Sequence, residues 1–131
     1  MTIHSFFVAV DGDLVGQKLE NLIISDELEK LVQYNNFVNE SVKKIRSFSD
    51  HLGGKTYLHG GDNLLVELSD YESFVEQIRA NKEKMAISFS IGIGRNAVEA
   101  YLALKFAKST GRGLIMLVEV INGSFNFRQI N

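Results

Sequence analysis

Apolar residues recur along this chain in two rhythms, one of helices and one of strands. Residues 3–10 (IHSFFVAV) form a compact apolar run, rich in Phe and Val, closed by Asp11-Gly12-Asp13. The run is too short for a buried helix and predicts a central strand. Over residues 14–24, Leu14, Val15, Leu19, Leu22 and Ile23 fall at near-helical spacing and predict a short helix. Ser25-Asp26 predicts a cap before a longer helix over 27–52, where Leu28, Leu31, Val38, Val42, Ile45 and Leu52 share one stripe. Gly53-Gly54 stops that helix. Residues 57–68 then alternate, with Tyr57 before and Leu64, Val66 and Leu68 after a central His59-Gly60-Gly61-Asp62-Asn63. This predicts a β-hairpin whose glycines supply positive φ at the turn. Residues 71–84 read as an amphipathic helix presenting Phe74, Val75 and Ile78. Residues 85–93 read as a strand, with Ile87, Phe89, Ile91 and Ile93 on one face and Ser88, Ser90 and Gly92 on the other. Residues 97–108 are helical, with Ala100, Leu104 and Ala107 in register, and Gly111 and Gly113 stop them. A last strand spans 114–121, extended by 125–127.

The element order is therefore β-α-α-β-β-α-β-α-β. Without the extra early helix it begins β-α-β-β-α-β, the ferredoxin-like arrangement of the α+β class. The expected fold is a mainly antiparallel sheet with helices on one face, plus an extra strand and helix. In that topology the first strand and the hairpin are neighbours at the sheet centre, which brings Asp11 and Asp62 side by side.

At 131 residues, without Pro or any linker-like stretch, the chain is expected to form one domain over 1–131. Its net charge of −2 carries no basic excess, which argues against a long nucleic acid as partner. A small phosphorylated substrate needs only one or two local cations. The absence of Cys removes disulfides, thiolate nucleophiles and Cys-type zinc sites, and fits a reducing, cytoplasmic setting. No basic leader and no run of about 18 apolar residues is found, so neither a signal peptide nor a membrane span is expected.

The polar residues that interrupt the pattern carry the candidate chemistry. Asp11 and Asp62 are an acid pair suited to Mg²⁺ or Mn²⁺, which take oxygen ligands and usually only one or two protein carboxylates. The Gly12 carbonyl is a third oxygen, and Asp13 is either a further ligand or a turn acid. Leu14, Val15 and Gly16 open a helix, so their N–H groups and the helix dipole offer a phosphate cradle. Gly60 and Gly61 add bare backbone beside Asp62, and Asn63 follows. Lys108 and Arg112, four apart, can reach a triphosphate. Each part has a plainer reading. Asp-Gly-Asp is a common turn, and basic residues at a helix C-terminus are favoured by its dipole. The Ser88/Ser90/Gly92 face admits either close helix packing or a nucleobase. His4, His51 and His59 lack metal-ligand spacing, and His59 reads as a surface residue or a phosphate contact.

Ser90-Ile91-Gly92-Ile93, Ala103-Leu104 and Ala107-Lys108-Ser109-Thr110-Gly111-Arg112 resemble the tail of GGDEF diguanylate cyclase domains. His59-Gly60-Gly61-Asp62-Asn63 sits where those domains carry Gly-Gly-Asp/Glu-Glu, and Asp11 where they carry the first metal acid. Three departures narrow the resemblance. Leu19 stands where GGDEF domains use Asn to read guanine and cannot make that hydrogen bond, so guanine selectivity does not carry over and ATP is favoured over GTP without the base being fixed. His51 and Gly54 replace the product-inhibition Arg-x-x-Asp, and Asn63 replaces the second hairpin acid. Asp-Gly-Asp with Gly-Gly-Asp-Asn in a chain of this size is similar to the minimal CRISPR polymerases (mCpol), relatives of the type III CRISPR polymerase palm.

That resemblance implies synthesis of a cyclic di- or oligonucleotide from NTP, as an antiviral second messenger read by a downstream effector. It implies that Asp11, the Gly12 carbonyl and Asp62 hold metal, and that Leu14–Gly16 with Lys108 and Arg112 hold triphosphate. Ring closure between two nucleotides implies two sites facing one another in a homodimer. Two other readings stand beside it: a GTP cyclohydrolase III-like hydrolase, and a degenerate nucleotide sensor in which Asn63 marks lost catalysis.

Overall fold

The computed structural model describes residues 5–85 and 87–130. Ile3 and His4 of the first expected strand, and position 86 of the fourth, lie outside the described residues. The elements are β1 (Phe6–Gly12), α1 (Val15–Ile24), α2 (Leu28–His51), β2 (Lys55–His59), β3 (Asn63–Leu68), α3 (Tyr71–Ala80), β4 (Phe89–Gly94), α4 (Ala97–Thr110), β5 (Ile115–Ile121) and β6 (Ser124–Ile130). The strands form one six-stranded sheet in the order β2-β3-β1-β4-β5-β6. Every neighbouring pair is antiparallel except β4–β5. The β1-α2-β2-β3-α3-β4 unit, with strand order 2-3-1-4, is the expected ferredoxin-like core, and β1 lies between β3 and β4.

Alternation along each strand gives the sheet two different faces. On one, Val8, Val10, Leu64, Val66, Ile91 and Ile93 pack against Val42 and Ile45 of α2 and Phe74, Val75 and Ile78 of α3. On the other, Ala9 meets Ala100 and Leu104 of α4, while Ala103 and Ala107 meet Met116 and Val118. The expectation of helices on one face therefore holds for the two core helices and is corrected for α4, which covers the opposite face. A parallel β4–β5 pair needs a crossover, and α4 supplies it.

Glycine sets how closely α4 sits. A Cβ at Gly92 would run into the main chain of Ala100 and Leu104, and one at Gly94 into Glu99 and Ala100. Of the two readings of the small face of β4, close helix packing is the one found at Gly92.

Several boundaries differ from expectation. Helix α2 ends in a Schellman arrangement: Gly53, at φ 76°, donates to the Asp50 carbonyl, and Gly54 N–H donates to that of Ser49. At its other end Glu27 occupies the cap position without a side-chain cap, after Asp26 at φ 55°, so Ser25-Asp26 forms the turn rather than the cap. Helix α3 stops at Ala80 and a 3₁₀ turn covers Lys82–Lys84, so β4 begins at Phe89 rather than at residue 85. The last strand is not prolonged. Asn122 and Gly123, at φ 51° and 79°, reverse the chain into the antiparallel strand β6.

Two predictions follow from the α4 packing. Gly92→Ala forces α4 off β4 and is expected to cost about 1–3 kcal/mol, read by urea unfolding; unchanged stability would contradict the backbone-to-backbone contact. Glu99 is 4% exposed and accepts hydrogen bonds from the Arg95 main chain and guanidinium, at 3.0 and 2.8 Å. The Arg95 side-chain bonds hold its carboxyl below the ordinary value of 4.5, against the opposing effect of burial. Its ionised form therefore stabilises the fold above that ordinary value, and this contribution disappears as pH falls through the lowered folded value. Glu99→Gln is expected to lower Tm at neutral pH, with the difference from the unmodified chain shrinking in acid. A difference independent of pH would refute the ion pair.

Candidate functional site

The β1–β3 ladder brings the two candidate acids together at one end of the sheet. Asp11 is paired with Asn63 of β3 and, on its other side, with Ser90 of β4. One residue further on, Gly12 N–H donates to the Asp62 carbonyl at 2.8 Å, which ties the hairpin turn to the end of β1. Gly12 is buried, and a Cβ there would meet Val15 at 2.7 Å and Asp62 at 3.3 Å. Close approach, rather than an unusual φ, accounts for glycine at this position.

The carboxyls of Asp11 and Asp62 lie close enough for Asp11 to act directly on the titration of Asp62. Burial raises the Asp62 carboxyl above its ordinary value, and Asp11 raises it further. The Lys108 charge acts in the opposite direction. Lys108 Nζ reaches Asp11 Oδ2 at 2.5 Å from the last turn of α4, with both side chains about a quarter exposed (21% and 26%). Two acids in contact share their proton or hold a cation between them. Asp11 and Asp62 thus fit a hard divalent cation. No group of three or more His, Asp or Glu side chains suited to a metal occurs among the described residues. Such an ion would complete its shell with main-chain oxygen, water or substrate oxygens, as Mg²⁺ commonly does.

The remaining candidates divide. Helix α1 starts beside the pair, with Leu14 at its cap position at φ 59°, Val15 buried, and open space around Gly16. Its first N–H groups and positive dipole end lie next to the acids. Asp13 is turned into the protein: Ser90 Oγ donates to its Oδ1 at 2.6 Å, and Ser88 Oγ and Gly113 N–H donate to its Oδ2, the latter at 3.0 Å. Asn63 folds back over the hairpin, its Oδ1 accepting from Gly60 N–H at 3.1 Å. Neither Gly60 nor Gly61 has positive φ, which corrects the expectation for the turn. A Cβ at Gly60 would collide with the Asn63 side chain, whereas Gly61 borders open space. Arg112 is exposed at φ 62° and is not brought to the carboxylates. His59 is half-buried, its Nδ1 accepting from Arg46 of α2 at 3.0 Å.

Two contributions were not foreseen. The Ser88 and Ser90 hydroxyls hold an acid rather than leaving room for a base. Tyr34, on α2, has its phenol raised above the ordinary value, first by burial and then by the Asp62 charge. Tyr34 lies four residues before Val38 on the apolar stripe, and that spacing was the signal available.

The model of the minimal CRISPR polymerase domain, mCpol, matches residues 7–118. This chain belongs to the mCpol family. No curated protein matches it. Among solved structures, this mCpol chain is similar to the GGDEF domain of DgcB from Caulobacter crescentus, in complex with c-di-GMP. The identity is 16% over 86% of this chain and 77% of that one, with a TM-score of 0.62. It is also similar to the GGDEF domain of YfiN (TpbB) from Pseudomonas aeruginosa, with 19% identity over 89% and 83% of the two chains and a TM-score of 0.62. The guanylyl cyclase Cya2 aligns at 13% identity over 94% and 87%, with a TM-score of 0.55. At these identities the neighbours establish the palm fold shared by mCpol, GGDEF and nucleotidyl cyclase domains. No helix among the described residues is long and apolar enough to cross a membrane.

Lys108 holds the position beside Asp11 that a divalent cation would compete for. Lys108→Met is expected to raise the affinity for Mn²⁺ alone by about tenfold, since it removes both a competitor and a like charge. Calorimetry or electron paramagnetic resonance reads this directly. Unchanged affinity would separate Lys108 from the cation site.

Proposed function

We propose that this mCpol chain is a metal-dependent nucleotidyltransferase that joins NTPs into a cyclic di- or oligonucleotide, releasing pyrophosphate. The observation that carries the reading is the contact of Asp11 and Asp62 at the end of the central strands, with Lys108 against them. In each step a sugar hydroxyl attacks the α-phosphorus of an NTP. A new P–O bond forms, the bond to pyrophosphate breaks, and the hydroxyl proton passes to solvent. Bound Mg²⁺ or Mn²⁺ supplies acidification of the hydroxyl and neutralisation of phosphate charge. Asp11 and Asp62, with the Gly12 carbonyl, hold that ion. The N–H groups at the start of α1, together with Lys108 and Arg112, bind the triphosphate and set the α-phosphorus in line. Leu19, on α1, offers no hydrogen bond to guanine, which favours ATP.

One palm of this size holds one NTP, so ring closure calls for two sites facing across a homodimer axis. The product is a second messenger for a downstream effector in antiviral defence, made in the cytoplasm. One observation favours a sensor as the second reading. Asn63, at the position of a second acid, is spent on the turn, which leaves Asp62 as the hairpin's one carboxylate.

The test is incubation with each NTP plus Mg²⁺ or Mn²⁺, read by mass spectrometry. Masses of NMP units joined without pyrophosphate are expected, and Asp11→Ala or Asp62→Ala should reduce them about a thousandfold with the fold intact. Intact NTP despite demonstrated binding would move the assignment to a sensor, and a ring-opened purine to a hydrolase.

A further inference from the structure

The acid that follows β1 makes more protein contacts than either member of the pair. Asp13 accepts from three donors on two other segments: the hydroxyls of Ser88 and Ser90 at the start of β4, and the Gly113 amide between α4 and β5. Its own N–H donates to the Ser88 carbonyl at 3.0 Å. Ser90 is fully buried, and its Oγ, while donating to Asp13, accepts from Gly113 N–H at 3.1 Å. Asp13, Ser90 and Gly113 thus close a ring of hydrogen bonds, and charge-assisted bonds of this kind are the strong ones.

The chain conformation at Gly113 serves the same ring. Arg112 and Gly113 both take left-handed backbone, at φ 62° and 61°. That is an unfavourable conformation for Arg, which persists where surrounding contacts impose it. The reversal aims the Gly113 amide at Asp13 and ends the segment that carries Lys108 and Arg112. On the other side, Asp13 immediately precedes Leu14, the cap residue of α1. One carboxylate therefore couples the start of α1 to the basic segment across the sheet end.

We propose that Asp13 is a positioning residue and not a metal or nucleotide ligand. Its carboxylate sets the gap between the α1 N-terminus and the Lys108–Arg112 segment. With three lone-pair positions already taken by protein donors, it is a poor candidate for a cation ligand. That the gap receives an NTP triphosphate rests on the nucleotidyltransferase reading, whereas the clip itself does not.

The experiment compares Asp13→Ala, Asp13→Asn and Ser88→Ala/Ser90→Ala in the full chain. Three readouts are used: exchange of the Gly113 amide by NMR, affinity for Mn²⁺ alone, and affinity for a non-hydrolysable ATP analogue with Mg²⁺. Asp13→Ala is expected to speed Gly113 exchange and weaken analogue binding by about tenfold each, the worth of one such hydrogen bond, while Mn²⁺ affinity stays unchanged. The double serine variant, which leaves the carboxylate in place, should reproduce the Asp13→Ala pattern. Asp13→Asn should recover part of it, since the Asn oxygen, unlike the Ala methyl, still accepts from Ser90 and so keeps the Ser90 hydroxyl oriented to receive the Gly113 amide. Exchange at Val8, in the sheet centre, controls for folding, and Ser88→Ala alone is the milder variant should the others unfold. Loss of Mn²⁺ affinity in both Asp13 variants would make Asp13 a ligand and overturn the proposal. Unchanged Gly113 exchange in Asp13→Ala would equally overturn it. If the unmodified chain binds no nucleotide analogue, the nucleotidyltransferase reading fails, and the exchange and Mn²⁺ results still decide the clip.

Discussion

The hydrogen bond from Gly12 N–H to the Asp62 carbonyl extends the β1–β3 pairing one step past its last ladder pair, Asp11 with Asn63. That single step decides the site. Without it, the hairpin turn would swing free of β1 and two like charges would separate. With it, Asp62 is held against Asp11 at the cost of their repulsion, which Lys108 partly offsets. Gly12 is what the contact requires, because any side chain there would press on Val15 and Asp62. The sheet centre supplies rigidity for this unfavourable pairing: Val8, Val10, Leu64 and Val66, directly behind it, are all at most 1% exposed.

The two faces of the sheet contribute differently. The α2/α3 face is filled with branched and aromatic side chains and makes the main core. The α4 face is nearly bare of side chains at β4, where Gly92 and Gly94 admit helix backbone directly. A helix seated on backbone has little freedom to slide or tilt, since close-packed interiors transmit rather than absorb displacement. Lys108 lies one turn beyond Leu104, the residue whose main chain bears on Gly92, so its ammonium group is delivered to Asp11 from a fixed base. The small residues of β4 and α4 are thus part of how the charge arrangement is set.

Much of this was legible in the sequence because the signals were long and periodic. The stripe of α2, the alternation of β3 and β4, and the acids after β1 and in the hairpin required no tertiary information. The misreadings have local causes. Helix α4 was expected beside the other helices because the ferredoxin-like arrangement places its helices on one face, while its opposite placement goes with glycines on the far side of β4. Strand β6 was hidden by reading Phe125 and Phe127 as a continuation, although Asn122-Gly123 is a strong reversal signal. Gly60 was assigned to backbone conformation, whereas the Asn63 side chain is what excludes a Cβ. That contact depends on a rotamer, and no spacing rule reports it. The Arg46–His59 and Tyr34–Asp62 relationships join residues from separate elements and need the packing angle of α2 to be seen.

Asp11 and Asp13 illustrate why a motif does not assign a role residue by residue. In a continuing strand, side chains two apart share a face, so both acids would point to the same place. The strand ends between them. Gly12 is the last residue of β1, and Asp13 bends away to pair its N–H with Ser88, which turns its carboxylate toward Ser90 and Gly113. Asp11 is set against another carboxyl and an ammonium group. Asp13 meets three neutral donors and becomes part of the scaffold. The same residue type, one position removed on either side of a glycine, is given opposite tasks by where the hydrogen-bond ladder stops.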